Sequence, residues 1–287
     1  MHSEVRSVSV QDEIAQFHRN HPHPDAAGQD SLFRFGRATQ PEEFLRTLFV
    51  DAKLYHSLPD QFNDPFEAKP HFRWPHSGKE VRQIRKHLVR VARESGASRR
   101  EAEARISRAF SKPGLVERAI RRAVLRTLGK ARVCSFTNSK DNLLFWAHYA
   151  DSHRGFCVEY DATLLPIFYA FKVQYTRKYP EVQYPAPEDA RNLEWLLIKS
   201  KEWEYEQEFR TLFVPSAQKQ PKNDGESLLL SGEEIKSVYF GALMDDDHKN
   251  QIKDLVQQGP FKPSFWQASV SESEFKLNFE RLEADDA

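Results

Sequence analysis

The sequence predicts an α+β fold built on a mixed, mainly antiparallel sheet, with a basic helical insertion over residues 75–131. Three observations carry this. Short β-rich runs alternate irregularly with amphipathic helical runs, which argues against a regular βαβ series. The 287 residues are 39% hydrophobic and 12% aromatic, enough for a packed core. From Lys79 to Arg132 there are 17 Lys and Arg against 5 Asp and Glu, with Val, Ile, Leu and Phe recurring at three- and four-residue intervals. Because the formal net charge of the chain is zero, the remainder is acidic by the same amount, and no whole-molecule field points to nucleic acid or an anionic membrane.

The expected organisation is an N-terminal helix and linker over residues 1–30, then one α+β domain over 31–287. HRNHPHPDAAGQD, closing the first part, is polar and holds two prolines, so His18, His21 and His23 are expected in a solvated tail rather than on a metal. SLFRFGR reads as a strand, and TQPEEFLRTLFV as a helix with Thr39 as N-cap and Pro41 near the first turn. AKLYHSLPDQFNDPFEA begins extended and breaks at Asn63, Asp64 and Pro65, residues that form turns through local hydrogen bonds and a fixed φ. The basic segment follows as two or three helices, interrupted near Ser95-Gly96 and Pro113-Gly114.

ARVCSFT returns to strand, Asp141 is placed to cap the helix NLLFWAHYADSH, Gly155 to stop it, and GFCVEYD is a strand again. FKVQYTRKYP reads as a strand ending in a proline turn and EDARNLEWLLIKSKEWEY as a helix. IKSVYFGALM is a strand, DDDHKNQIKDLVQQG a helix opened by acids and closed by Gly259, and SFWQASVSESEFKLNFERL two strands. Cys134 and Cys157 lie in apolar strand-like runs without metal-ligand spacing and are expected as reduced core thiols. The longest apolar run, around Leu164 to Phe171, is far too short to span a bilayer, and the polar start lacks a signal-peptide core; a cytoplasmic protein with no membrane partner is expected. No GxGxxG, GxxxxGK[ST], HExxH or GxSxG pattern is present, which argues against nucleoside triphosphate hydrolysis and simple zinc hydrolysis.

KEWEYEQEFR, residues 201–210, sets Glu204, Glu206, Glu208 and Arg210 at alternate positions with Trp203, Tyr205 and Phe209 between them. Read as a strand, it has a charged row and an aromatic row. Either the charged row is a solvated face, or Glu206 and Glu208, roughly 7 Å apart along such a strand, line a cleft beside Arg210 and divide two protonation roles.

With FNDPFE and CSFTNSKDNLLFWAHYADSHRGFCVEYD, this stretch resembles a widespread bacterial family described only as a domain of unknown function. The likeness covers most of residues 31–245 and runs through Asn63, Asp64, Asp141, Asn142, Trp146, His148, Tyr149, His153, Gly155, Trp203, Glu206, Glu208, Arg210 and Gly241. A second resemblance is to mono-ADP-ribosyltransferases, among them toxins that modify nucleic acid. It lies in the order of a basic residue on an early strand, a Ser/Thr-bearing strand and a later Glu-x-Glu strand. This resemblance implies an ADP-ribosyltransferase-like fold, NAD as substrate and no metal. It implies Arg34 on the NAD pyrophosphate, with Arg37 as an alternative, and Ser135 and Thr137 at the nicotinamide ribose. Tyr55 or His56 would face the nicotinamide, with His148 in the same NAD-binding set.

On the same resemblance Glu208 would hold the ribose hydroxyl and stabilise the oxocarbenium-like charge, while Glu206 would accept a proton from the acceptor nucleophile. Asn63, Asp64 and Arg210 complete the expected substrate-binding set, and a toxin or phage-defence effector modifying nucleic acid or protein is the implied setting. Arg118, Arg121 and Arg122 on the basic helices are expected to hold RNA or DNA. Two other readings stay open at this level. Asp64, Glu67, Glu206 and Glu208 could gather Mg²⁺ for phosphodiester hydrolysis, or the chain could be a non-enzymatic nucleic-acid-binding module whose Glu row is a salt-bridged solvent face.

Overall fold

In the computed structural model, which describes residues 9–69, 71–75, 77–182, 184, 190–215 and 221–283, the strand-forming runs assemble into one eight-stranded sheet. It contains β1 (Ser31–Gly36), β4 (Arg132–Thr137), β5 (Phe156–Asp161), β6 (Phe171–Lys172), β10 (Glu208–Phe213), β12 (Ile235–Phe240), β13 (Ser264–Val270) and β14 (Leu277–Arg281). Three small pairs lie outside it: β2 (Lys53–Tyr55) with β11 (Ser227–Leu229), β3 (His71–Phe72) with β8 (Glu181–Val182), and β7 (Gln174–Thr176) with β9 (Ile198–Ser200). The order of the large sheet is β14-β13-β12-β5-β1-β4-β10-β6, and among the described residues only β12 and β13 run parallel within it. The α+β class and the mixed, mainly antiparallel sheet are as the residue pattern predicts.

Side-chain alternation sends successive residues to opposite faces, and both faces are covered. On one face Leu32, Val158, Tyr160 and Phe240 pack with Leu45 and Phe49 of α2 (Glu42–Phe49) and with Ile252, Leu255 and Val256 of α7 (Asp246–Gln258). On the other, Trp146 of α6 (Leu143–His148) packs with Ala150, Cys157 and Tyr239, and Phe35 meets its ring edge-on at 5.0 Å. The basic segment forms α3 (Gly78–Glu94), α4 (Arg99–Phe110) and α5 (Leu115–Leu128), with Gly96 and Gly114 at left-handed φ of 96° and 67° in the breaks. Ile84, Val116, Ile120 and Val124 on these helices join Val133, Trp195 and Leu196 in a core of their own. Cys134 and Cys157 are buried free thiols. Among the described residues no helix is long and apolar enough to cross a membrane.

One irregularity in the sheet decides where the site lies. β1 meets β4 through a single residue pair, Phe33 opposite Thr137, whereas six pairs join β1 to β5 and six join β4 to β10. The sheet is therefore two ladders touching at one point, and beyond that point β1 and β4 part. Arg34 reaches across the gap: its Nη1 donates to the Ser135 carbonyl at 3.2 Å and to the Cys134 sulfur at 2.7 Å.

Elsewhere tertiary packing overrides the local pattern. The N-terminal segment includes α1 (Val10–Asn20), and the stretch after it is no solvated tail. His21 Nδ1 bonds the Lys172 carbonyl, His23 Nδ1 bonds the Ala170 carbonyl, both at 3.0 Å, and buried Phe17 packs on Phe171. Thr39 does not cap α2, whose N-cap is Pro41; its hydroxyl instead donates to Asp151. Asn142, not Asp141, caps α6 by accepting from the Leu144 amide. FKVQYTRKYP splits at Val173 into β6 and β7 because the two halves pair with different strands, β10 and β9.

The helix expected over 188–205 starts outside the described residues. Where described, it is a 3-10 helix over Ala190–Leu197, then β9, then a 3-10 helix over Lys201–Glu206, since Ile198–Ser200 is held extended by β7. KEWEYEQEFR is accordingly not one strand: Gln207, at a left-handed φ of 45°, ends the 3-10 turn and β10 begins at Glu208.

Gly155 and Gly241 fix the approach of three strand ends. Gly241 N–H donates to the Gly155 carbonyl at 2.8 Å, and a Cβ on Gly155 would overlap the Gly36 carbonyl and the Ala150 backbone. Both obstacles are backbone and cannot swing away. Gly155→Ala is therefore expected to lower stability by about 1–3 kcal/mol, read as a lower urea midpoint at an unchanged slope.

Candidate active site

The gap between β1 and β4 opens a cavity of about 200 Å³. β1 lines it with Phe33, Arg34 and Phe35, β4 with Ser135, Phe136 and Thr137, and β10 with Glu208 and Arg210. Phe145 and Tyr149 enter from α6 and its C-cap, Phe62, Asn63 and Glu67 from the FNDPFE loop, Lys199 from β9, and Glu206 from the turn before β10. The register explains the convergence. Glu208 stands opposite Thr137 and Arg210 opposite Ser135, so these four residues share one face. The 3-10 turn is tied to the same place by two bonds: Thr137 Oγ1 donates to the Glu206 carbonyl at 2.8 Å and Asn142 Nδ2 to the Tyr205 carbonyl at 3.0 Å.

At the floor lies a buried ionic cluster. Arg210, 1% exposed, forks onto Glu208, with Nε to Oε1 at 2.8 Å and Nη2 to Oε2 at 2.9 Å. Its Nη2 also bonds Glu67, and its Nη1 donates to the Leu196 carbonyl at 2.5 Å. Lys199 Nζ lies 2.5 Å from Glu206 Oε2, 3.2 Å from Glu208 Oε2 and 3.6 Å from Glu67 Oε2. The Tyr149 hydroxyl donates to Glu206 Oε1 at 2.7 Å, and the Glu208 amide donates to the Tyr175 hydroxyl at 2.8 Å. Three carboxylates against two cations leave a net negative charge, with little water to screen it.

The two glutamates are pushed apart in acidity. Burial alone would raise Glu208, but Arg210 and Lys199 outweigh it, joined by hydrogen bonds from Arg210 and Ser135, and hold its carboxyl at about 2. For Glu206 burial wins: the carboxyl lies above its ordinary 4.5, with the Glu208 charge adding to the rise and Lys199 and Tyr149 only partly offsetting it. Burial works against a charged Lys199, yet Glu208, Glu67 and Glu206 keep its ammonium well above the usual range. Burial, together with donation to Glu206, also raises the Tyr149 phenol far above its normal value. One carboxylate is permanently ionised; its neighbour holds a proton more readily.

Of the residues expected at the site, Arg34, Asn63, Ser135, Thr137, Glu206, Glu208 and Arg210 all line this cavity. Asp64 does not. Its carboxylate accepts from Trp203 Nε1 at 2.7 Å and from the Phe66 amide at 2.8 Å, so it holds the loop in shape. Tyr55 and Arg37 line a different cavity, of about 380 Å³, which Arg34 also lines. His56 is buried in the core, accepting from Thr211 at 2.8 Å, and burial depresses it to about 3, so it stays neutral. His148 points to solvent from α6, because the helical register that turns Phe145 and Tyr149 into the cavity turns it away. Glu204 is a surface residue paired with Lys201. Arg118, Arg121 and Arg122 are exposed on α5 and line neither cavity, Arg121 lying over the Phe72 ring.

Lys199 and Tyr149 escaped the sequence reading as site residues, and Glu67 entered it only as a possible metal ligand. The helix expected over 188–205 marks no place for Lys199, which reaches the cluster because Ile198–Ser200 is extended as β9. No family model, no curated protein and no solved structure matches the chain.

Because Arg210 is fully buried between Glu208 and Glu67, its loss would strand both carboxylates. Arg210→Leu should cost about 3–5 kcal/mol in denaturant unfolding; a cost below about 1 kcal/mol would mean that Lys199 alone compensates them.

Proposed function

We propose that the protein is an NAD-dependent mono-ADP-ribosyltransferase on an ADP-ribosyltransferase-like sheet. The observation that carries this reading is the adjacency of β1, β4 and β10: Arg34, the Ser135/Thr137 pair and Glu206/Glu208, far apart in the chain, line one cavity at the gap in the sheet. The resemblance requires these three strands to meet around one substrate. In support, Arg34 lines both this cavity and the 380 Å³ one beyond it, where Arg37 adds positive charge, Lys53 there being paired with Asp224. A dinucleotide bridging the two would present its pyrophosphate to a planar guanidinium.

The chemistry follows from the two acidities. Nicotinamide leaves with the electron pair of its bond to the ribose C1′, and positive charge develops on the sugar. Glu208, ionised at every physiological pH and held rigid by Arg210, stabilises that charge without reorganising. The acceptor nucleophile forms the new bond to C1′ and gives its proton to Glu206, whose raised pKa makes it a better base than an ordinary carboxylate. Lys199 and Tyr149 hold Glu206 in place. The nuclease reading has less support: Glu67, Glu206 and Glu208 already share Lys199 and Arg210, and Asp64 is turned to Trp203.

Adenylate-labelled NAD incubated with the protein and a bacterial lysate should transfer label, and Glu208→Gln should reduce transfer by about 10²-fold or more. No transfer and no nicotinamide release across varied acceptors would reject the reading. The rate should also fall on acidification, with a midpoint above 4.5 set by Glu206. The sign is that of a base: protonating Glu206 removes activity, so Glu206→Gln should lower the rate and abolish this acid limb. Persistence of the limb in that variant would assign the base elsewhere.

A further inference from the structure

Glu67 and Lys199 line not only the candidate active site but also a neighbouring cavity of about 260 Å³, so the ionic cluster is a wall common to both. Two turns build this second space. One is Phe66 to Lys69, where Ala68 takes a left-handed φ of 54°; the other is Thr176 to Pro180, leaving β7. The fold leaves two large rings in water here, Phe66 at 66% and Tyr179 at 49% exposure. Lys69, Arg177 and Lys178 stand exposed around them, with Glu202 acting on Arg177 from outside the lining; among the described residues the one carboxylate in the lining, Glu67, is already bound by Arg210 and Lys199. Trp195 lines the same space, and its buried indole N–H has no hydrogen-bond partner among the described residues.

Aromatic faces among exposed cations match unstacked bases on a phosphate backbone. The geometry points to this cavity as a seat for a nucleotide of single-stranded nucleic acid. A base stacks on Phe66 and Tyr179, the flanking phosphates lie on Arg177, Lys178 and Lys69, and a neighbouring nucleotide reaches the cluster wall. A duplex keeps its bases stacked and cannot use the rings. As the acceptor's seat, the cavity rests on the transferase reading of the adjoining site; as a nucleotide-binding site it does not. The arginines of α5 are then not the main nucleic-acid contact, since none of them lines this cavity.

The test is fluorescence anisotropy of the full chain, without NAD, using labelled single strands of about twelve nucleotides, as DNA and as RNA, against the same sequence as duplex and against a mononucleotide. A single strand of at least one kind should bind more tightly than duplex or mononucleotide. Phe66→Ala with Tyr179→Ala, both exposed positions, should weaken it by about tenfold or more. Lys178→Ala should weaken it and flatten the salt dependence by about 0.7 in log–log slope. The inference is overturned by absence of binding, by equal duplex or mononucleotide binding, or by binding that survives the ring substitutions and is lost on reversing Arg118, Arg121 and Arg122. Adding labelled NAD separates the two claims. Strand binding without any transfer would reject the transferase and keep the seat; transfer to protein alone, with no strand binding, would do the reverse.

Discussion

A charge cannot be buried alone, and this molecule buries five together. Glu67, Lys199, Glu206, Glu208 and Arg210 come from a loop, a short strand, a 3-10 turn and a sheet strand. Each would carry a desolvation cost of several kcal/mol without its partners. Such a cluster is weak evidence of stability, because a well-packed apolar group of the same shape often does as well. It is better understood as a constraint on arrangement. The FNDPFE loop must close over the sheet, β9 must be extended and Gln207 must turn the chain, or at least one charge is stranded.

The gap in the sheet depends on the same constraint. A continuous ladder between β1 and β4 would fill the space above the cluster with backbone; one pair at Phe33 and Thr137, with Arg34 reaching across, leaves it open. Local wiring then differentiates the two glutamates. Glu208 receives the two-pronged guanidinium, while Glu206 shares one ammonium and accepts from a neutral phenol. Residues two apart in the chain thus acquire opposite shifts in acidity.

The basic insertion has a plainer part in the fold than its charge suggests. Its apolar residues pack against Val133 of β4 and against Trp195 and Leu196, which abut the cluster through the Leu196 carbonyl on Arg210. The arginines are on the outside, some over aromatic rings, as with Arg85 on Phe110 and Arg121 on Phe72. The total charge is zero because the acidic excess outside the segment equals the basic excess within it.

Strands such as SLFRFGR, ARVCSFT and GFCVEYD, the helices of the basic segment and the final helix and hairpin were all legible, because amphipathic period and turn residues are local properties. Ser135 and Thr137 were named only on the resemblance, and the row of Glu206, Glu208 and Arg210 was left between a solvated face and a cleft; the fold brings all five to one cavity. What only the tertiary structure decided is which charges meet. Lys199 was invisible because its segment has helical periodicity and is pulled extended by β7; Tyr149 displaced His148 because one helical step decides which side chain faces the cavity. Asp64 became structural because Trp203, 139 positions away, is its partner. Composition and pattern determine the elements, since these depend on neighbours in the chain; the site depends on neighbours in space, which pairing and burial alone select.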